Sequence, residues 1–558
     1  MRAWGTEAEH WWSRKTIPAL LEEQAGFRGD QVFLYLEEQP ITYGDMHQRT
    51  VRAASILREL GVTRGDRVAI MMSTCPEWVV TWMASAMLGA VTVPINTANR
   101  GDFLSNQLID SSASVAVVDV SMLGRLAEIR DRLSSLRIVL VRSDMKTPDD
   151  GSELSLSNLR VLPIEVLTGE QIIGRDLAAT SVTTGGSDNL QAGELAWREA
   201  VTIFYTSGTT GPSKGVVTTH QYLLSAAQSM VDCWKLQTGE TVYAPLPLFH
   251  MSAIGSVLGP LIAGGTGVIE KVFSPSSTWA QVKRYNACGV LLAGAMVVML
   301  WNLPEDPVER DLPIRFISAA PVPAHLYHGI EQRYSCKIVT VYGLSEAFPV
   351  TYSGIDDENP PGASGRPNPS LEVAIVDDTD TQVIPGRVGE IVCRPSQPHV
   401  IFEGYENRPA DTLGRMRNLW FHTGDLGRFD TLGNLTYVDR KKDAMRRRGE
   451  NISSFEVEQA ILRHPGVAEV AAVGVPSDLG EEDVMVWLVP KPGDAIDMVE
   501  LLDFCAARMP YFAVPRYIEV VEDLPKNAMG RVVKDEIRKK GVRDATWDRE
   551  RAGYVVRR

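Results

Sequence analysis

The chain reads as an α/β protein, with a large N-terminal domain of mixed, largely parallel sheets followed by a small α+β C-terminal domain. Three observations predict this. Apolar strand-like runs alternate with helix-like segments over long distances, the pattern of parallel sheets crossed by helices. A turn rich in glycine and hydroxyls, Tyr205-Thr-Ser-Gly-Thr-Thr-Gly-Pro-Ser-Lys-Gly215, is framed by the apolar run 201–205 and the exit Val-Val-Thr-Thr-His220, as a fixed turn between ordered elements would be. The 558 residues exceed what one core ordinarily holds, so two or more domains are expected.

The composition suits a folded soluble protein. With 44% hydrophobic and 23% charged residues there is material for a core and no sign of large-scale disorder. Net charge is −14, from 56 Lys+Arg against 70 Asp+Glu, which argues against nucleic acid as the main partner. Cys75, Cys233, Cys288, Cys336, Cys393 and Cys505 lie far apart with no CxxC pair, as expected of reduced, buried thiols in a cytoplasmic protein. The N-terminus is acidic early and has no continuous apolar core of signal-peptide type. The uncharged stretch 241–269 is interrupted by Pro245, Pro247, His250, Pro260 and Gly264-Gly265, so a buried strand, turn and helix is expected there and not a membrane span.

In chain order, residues 17–24 predict a helix, 33–43 a short hairpin, and 43–60 an amphipathic helix whose Met46, Val51, Ala54, Ile56, Leu57 and Leu60 recur at helical spacing before Gly61. Strands at 67–72, 91–94 and 115–120 alternate with helices at 78–88 and 102–108. The pattern weakens from about 143 to 199, where no chemistry is assigned. Beyond the glycine-rich turn, a helix at 221–235 leads to Ala244-Pro-Leu-Pro-Leu-Phe-His250, which places His250 at the close of an apolar strand, with a helix at 252–263 after it. Further strand and helix pairs fall at 286–301 and 314–321. Ser453 or Ser454 is the N-cap candidate for a helix that follows, and strands at 467–475, 484–489 and 517–521 with a helix at 498–508 complete the small domain.

The turn at 205–215 reads as a cradle for a polyphosphate. Gly208, Gly211 and Gly215 let main-chain N–H groups approach an anion, Thr206, Ser207, Thr209, Thr210 and Ser213 add donors, and Lys214 adds positive charge. It is not a Walker loop, because Gly208 and Gly211 are three apart and Pro212-Ser213 separate Gly211 from Lys214.

This string closely resembles the phosphate-loop signature of the adenylate-forming (ANL) superfamily, which holds acyl-CoA synthetases, adenylation domains and firefly-type luciferases. Other signatures follow in order. Ala319, Ala320 and Pro321 resemble the turn flanking adenine. Thr340-Val-Tyr-Gly-Leu-Ser-Glu346 resembles the next motif, which makes Tyr342, Gly343 and Ser345 nucleotide-binding candidates and Glu346 the Mg²⁺ ligand. His422-Thr-Gly-Asp425 resembles the motif whose Asp holds the ribose hydroxyls, and Arg440 resembles the ribose and phosphate arginine. Lys442 occupies the hinge position of a mobile small domain, dividing the chain into 1–439 and 440–558, and Gly449 opens the face that meets coenzyme A. The resemblance also makes His250, Met251, Ile254, Gly294, Leu344, Ala347 and Phe348 the acyl-pocket candidates, mostly apolar and small.

The last signature departs from the pattern. Where the superfamily typically shows a lysine after glycine, this chain has Pro525-Lys-Asn-Ala-Met-Gly530-Arg531-Val-Val-Lys534. Either Arg531 substitutes, or Lys534 reaches in, or the first half-reaction is slow. The resemblance, nearest the carnitine/crotonobetaine-CoA ligase branch, implies a cytoplasmic two-step ligase using ATP, Mg²⁺ and coenzyme A on a small or medium carboxylic acid. A stand-alone adenylating enzyme loading a carrier protein and an inactive nucleotide-binding homologue remain alternatives, and a homodimer is left open.

Overall fold

The computed structural model describes residues 12–142, 160–163, 196–206, 213–441, 443, 445–447, 450–477, 482–509, 511, 513–527 and 530–556. They fall into two compact units, one comprising the described residues up to Glu372 with 394–414, the other Val373–Cys393 with the described residues from Arg415 onward.

The first unit holds two large sheets. One runs in the order Gly404–Tyr405, Lys214–Thr219, Ala200–Thr206, Val91–Pro94, Arg67–Met71, Val115–Asp119, Ile138–Arg142, Arg160–Pro163. From Ala200–Thr206 to Arg160–Pro163 all pairings are parallel, and the two at the other edge are antiparallel. Val91–Pro94 and Val115–Asp119 are buried along their whole length, which is why they read as continuous apolar runs and not as alternating ones. The other sheet runs Lys337–Val339, Phe316–Ala320, Gly289–Ala293, Thr241–Ala244, Thr266–Ile269, Val32–Leu36, Gln39–Thr42, parallel except for the last pair. Tyr243, Val268, Val290, Leu292 and Ile317 from its strands share a core with Trp279, Tyr327 and Ile330 from flanking helices.

The second unit carries the antiparallel strands Gly389–Pro395, Trp420–Phe429 and Leu435–Arg440, then a hairpin of Met445–Arg447 and Glu450–Ile452. A mixed sheet follows in the order Val467–Pro476, Glu482–Pro490, Tyr517–Val520, Trp547–Asp548. The helices Ser454–Ile461 and Met498–Ala506 bury Val457, Ile461, Leu501, Leu502 and Cys505 against it. The α/β architecture with a smaller α+β C-terminal part is the one the sequence predicts.

Two local expectations are corrected. The first helix is Ile17–Arg28 and does not stop at 24; it continues through Gly26 and the exposed Phe27 because its C-cap is Gly29. His250 does not close a strand. The strand ends at Ala244, since Pro245 and Pro247 lack the N–H a ladder needs, and His250 instead caps the short turn Met251–Ala253, with the helix starting at Gly255. At the start of the helix Ser454–Ile461, where the Val457 amide bonds to the Ser453 carbonyl at 3.2 Å, both serines are tied to the strand Leu435–Arg440. Ser453 donates to the Val438 carbonyl, and Asp439, 15 residues back, accepts from the Ser454 amide at 2.6 Å and the Ser454 hydroxyl at 2.7 Å.

All six cysteines are buried and none forms a disulfide. Burial pushes the Cys288 thiol up to about 11 and those of Cys336 and Cys505 up to about 12, so they stay protonated at neutral pH. Among the described residues no helix is long and apolar enough to cross a membrane.

Candidate active site

Of the polyphosphate cradle the sequence predicts, Ser207, Gly208, Thr209, Thr210 and Gly211 lie outside the described residues, as do Lys442 and Gly449. The arms of the turn are described. Ala200–Thr206 and Lys214–Thr219 pair antiparallel with Thr206 opposite Lys214 and Tyr205 opposite Gly215. Gly215 has a reason beyond access to an anion: a Cβ there would stand 2.7 Å from Ile203 Cγ2 and 3.1 Å from the Tyr205 ring. The Tyr205 hydroxyl in turn donates to Asp110 at 2.9 Å. Lys214 Nζ lies 3.2 Å from Asp411 Oδ2 and 5.1 Å from the centre of the Tyr405 ring.

Glu346 sits in the tight turn between Val341–Leu344 and Ala347–Tyr352 and is buried. Its Oε1 accepts from the Tyr405 hydroxyl at 2.6 Å, and its carbonyl accepts from the Phe402 amide at 2.9 Å. The preceding Ser345 carbonyl accepts from the Tyr222 hydroxyl at 2.9 Å. One aromatic side chain therefore touches both the cradle lysine and the candidate metal carboxylate, residues 132 positions apart in the sequence (346 less 214). Sequence reasoning missed Tyr405 and Asp411. The available signal was Gly404 next to Tyr405 after the apolar run Val400-Ile-Phe402, and Gly404 does adopt φ 141, a conformation that favours glycine.

This donor set fits Mg²⁺. Among the described residues no group of three or more His, Cys, Asp or Glu side chains is placed to cage a metal. A single buried carboxylate is what a magnesium ion needs when water and phosphate oxygens supply its remaining ligands.

The adenine-side and acyl-side candidates meet at two glycines. Ala320 pairs with Ala293 and Ala319 with Leu292, which brings Pro321 beside Gly294, where a Cβ would stand 2.1 Å from the Pro321 carbonyl oxygen. At Gly343 a Cβ would stand 2.8 Å from Phe348 Cδ2, so Tyr342, Gly343 and Leu344 face Ala347 and Phe348 across their hairpin. Met251 and Ile254 are buried on a separate segment, where His250 Nδ1 and the Ser252 hydroxyl are 2.6 Å apart. His250 is open to solvent yet hemmed in by protein, and desolvation lowers its pKa below the ordinary histidine value.

In the second unit Asp425 and Arg440 are cross-strand partners, with Arg440 Nε 3.7 Å from Asp425 Oδ1. Tyr437 lies in the same cluster, and burial, then the charges of Asp425 and Asp439, raise its pKa far above the tyrosine norm. Arg531 joins this group. Its exposed side chain is crowded enough that desolvation, followed by the like charge of Arg440, lowers its pKa, with Tyr437, Asp425 and Asp443 acting the other way. An arginine so placed stays cationic. Lys534 is engaged elsewhere, 2.8 Å from Glu458 Oε1 and bonded to the Ser454 hydroxyl. Burial raises the pKa of Glu458, which also accepts from the Ala472 amide at 2.7 Å. Sequence reasoning also missed Glu390, whose carboxylate receives His422 at 3.2 Å and Lys441 at 3.1 Å beside the Asp425 motif.

A family model described as AMP-binding enzyme matches residues 21–406, and one described as AMP-binding enzyme C-terminal domain matches 456–531. The crotonobetaine/carnitine–CoA ligase of Salmonella choleraesuis (strain SC-B67) is 28% identical over 538 residues, 94% of this chain and 99% of that protein. ATP-bound MatB from Rhodopseudomonas palustris is similar with a TM-score of 0.78 and 25% identity, over 94% of this chain and 98% of that one. The anthranilate CoA ligase AuaEII, in complex with anthranoyl-AMP, shares the fold with a TM-score of 0.81 at 23% identity, over 94% and 97% of the two chains.

Proposed function

We infer the reaction from membership: this chain belongs to the AMP-binding enzyme family, and it is an ATP-dependent, AMP-forming ligase that joins a carboxylic acid to coenzyme A. The carboxylate attacks the α-phosphorus of ATP and pyrophosphate leaves; the thiol of coenzyme A then attacks the acyl-AMP and AMP leaves. The attacking carboxylate is already ionised at neutral pH, so no protein nucleophile or base is needed to start. Placement and charge carry the catalysis.

The observation that supports the residue roles best is the run from Lys214 over the Tyr405 ring to Glu346. Lys214 draws the polyphosphate toward the strand pair, exchanging its ion pair with Asp411 for phosphate oxygens. Glu346 holds Mg²⁺, which when bound neutralises charge gathering on the leaving pyrophosphate. Asp425 accepts the ribose hydroxyls with Arg440 beside it. Arg531 serves the reacting oxygens in preference to Lys534, a choice supported by the ties of Lys534 to Glu458 and Ser454. The division at 439/440 with a hinge at Lys442 belongs to the same proposal. Lys442→Pro should impair one half-reaction selectively, and equal retention of both would count against the hinge.

The acid is small or medium and largely apolar, because His250, Met251, Ile254, Gly294, Leu344, Ala347 and Phe348 include no side chain that carries a full charge at neutral pH once His250 is held neutral. The protein works in the cytoplasm, where six buried thiols outside any disulfide are stable. A homodimer is a proposal for sedimentation to decide. The central experiment screens carboxylic acids for pyrophosphate exchange into ATP and for AMP release with coenzyme A or a carrier protein as acceptor. Exchange with no thioester on coenzyme A would shift the assignment to carrier loading, and exchange with no acid at all would sink it.

A further inference from the structure

We propose that Tyr405 is a positioning residue that sets the cradle lysine and the metal carboxylate relative to each other, through its ring toward Lys214 and its hydroxyl toward Glu346. The inference rests on the reading that Glu346 takes Mg²⁺ and Lys214 takes phosphate.

Tyr405 is itself held from three sides. Its backbone pairs with Val216 on the exit strand of the pair, one residue from Gly215 and two from Lys214. The Glu406 amide donates to the Gly215 carbonyl at 2.7 Å, and the Tyr405 amide donates to the Thr412 hydroxyl at 2.9 Å. On the other side the Phe402 amide is bonded to the Glu346 carbonyl, and the Phe402 ring meets the Tyr405 ring edge-on at 5.1 Å. Residues 402–406 are thus a brace between the strand pair and the Glu346 turn, and Tyr405 is the one side chain of the brace that reaches both functional groups.

The two contacts differ in chemistry. A cation over an aromatic face is attracted by the ring quadrupole without being neutralised, so Lys214 keeps its charge for an incoming anion. A hydroxyl donating to a carboxylate orients it and leaves the second oxygen directed by the first. Asp411, which approaches Lys214 at 3.2 Å, closes the set by balancing its charge. A tyrosine can serve both neighbours at once; a phenylalanine can serve only Lys214, and a leucine neither.

The test separates the two contacts in the full-length protein. Mn²⁺ binding is followed by electron paramagnetic resonance with a non-hydrolysable ATP analogue present, and analogue binding is followed by calorimetry with and without metal. Tyr405→Phe should weaken Mn²⁺ binding about tenfold or more, the worth of a lost hydrogen bond to a charged group, and leave metal-free analogue binding unchanged. Tyr405→Leu should weaken both. Melting curves on all variants identify folded protein, and Asp411→Asn provides a conservative second variant that should alter metal-free analogue binding only. Wild-type Mn²⁺ affinity in folded Tyr405→Phe, or equal loss of both affinities in it, overturns the inference. Glu346→Gln distinguishes the two levels: if it leaves Mn²⁺ binding intact, the carboxylate assignment itself fails, whereas loss in Glu346→Gln with none in Tyr405→Phe removes the role of Tyr405 alone.

Discussion

The two clusters of candidate functional side chains are assembled by opposite means. Asp425 and Arg440 face each other because they are register partners in a regular antiparallel ladder, so their proximity follows from the backbone and would survive most side-chain changes around them. Lys214 and Glu346 are brought together by a brace of a few residues and one shared tyrosine drawn from another part of the chain. The difference teaches that the Asp425–Arg440 pair, proposed for the sugar, is a property of local pairing, whereas the Lys214–Glu346 cluster, proposed for the phosphates, is a property of long-range tertiary structure and can be dismantled one side chain at a time.

The sharpest way to break the contrast is at the phosphate side. Lys214→Ala or Glu346→Gln should each lower carboxylate-dependent pyrophosphate exchange by a hundredfold or more, ~3 to 4 kcal/mol of barrier. The same loss from Asp425→Asn would erase the distinction drawn between the clusters.

Next in size is the pair of cations near the C-terminus. Arg531→Ala should cut exchange and leave the melting temperature near wild type. Lys534→Met should do the reverse, stranding the partly buried Glu458 at a cost on the order of 2 kcal/mol in stability. This second effect has a defined pH dependence. The folded-state pKa of Glu458 is raised by burial, so its contribution is fully present below the ordinary carboxylate pKa and is lost as pH rises through the folded value. Removing Lys534 raises that value further, because the lysine charge lowers it. The melting deficit of Lys534→Met should therefore be largest at neutral and alkaline pH and shrink on acidification; a deficit growing toward acid would refute the ion pair as its source.

Two smaller effects test the scaffold. Gly294→Ala places a methyl on the Pro321 carbonyl and should cost about 2 kcal/mol by overpacking, read as a lower denaturant midpoint together with an altered KM for the acid. Asp439→Ala removes the acceptor at the start of Ser454–Ile461 and should cost ~1 kcal/mol, with faster amide exchange confined to that helix.

Much of this architecture was legible in the residues. The helix expected at 43–60 is Tyr43–Glu59 because its apolar stripe and the Gly61 stop agree, and the strand expected at 91–94 is Val91–Pro94 because four buried residues in a row leave little room for another element. Motif strings singled out Lys214, Glu346, Asp425 and Arg440 as candidates, and the fold brings the first two to one tyrosine and sets the last two opposite each other. What stayed hidden were residues whose position depends on distant pairing. Tyr405 lies in a two-residue strand too short to show any periodicity, and Asp439 looked like one acid in a charged run when it is the cap of a helix 15 residues on. Asp411 and Glu390 were invisible for the same reason, since a carboxylate announces a partner only once the fold supplies it.

The slender strand Gly404–Tyr405 carries one more implication. It attaches to Lys214–Thr219 through Gly404 opposite Val217 and Tyr405 opposite Val216, and side chains on a strand alternate between faces. Slipping its register by one residue would turn the phenol to the opposite face, while a slip of two would return it to the original face two positions along. Register at this point is thus counted in parity, and redesign of the segment between 396 and 403 should keep the tyrosine in phase.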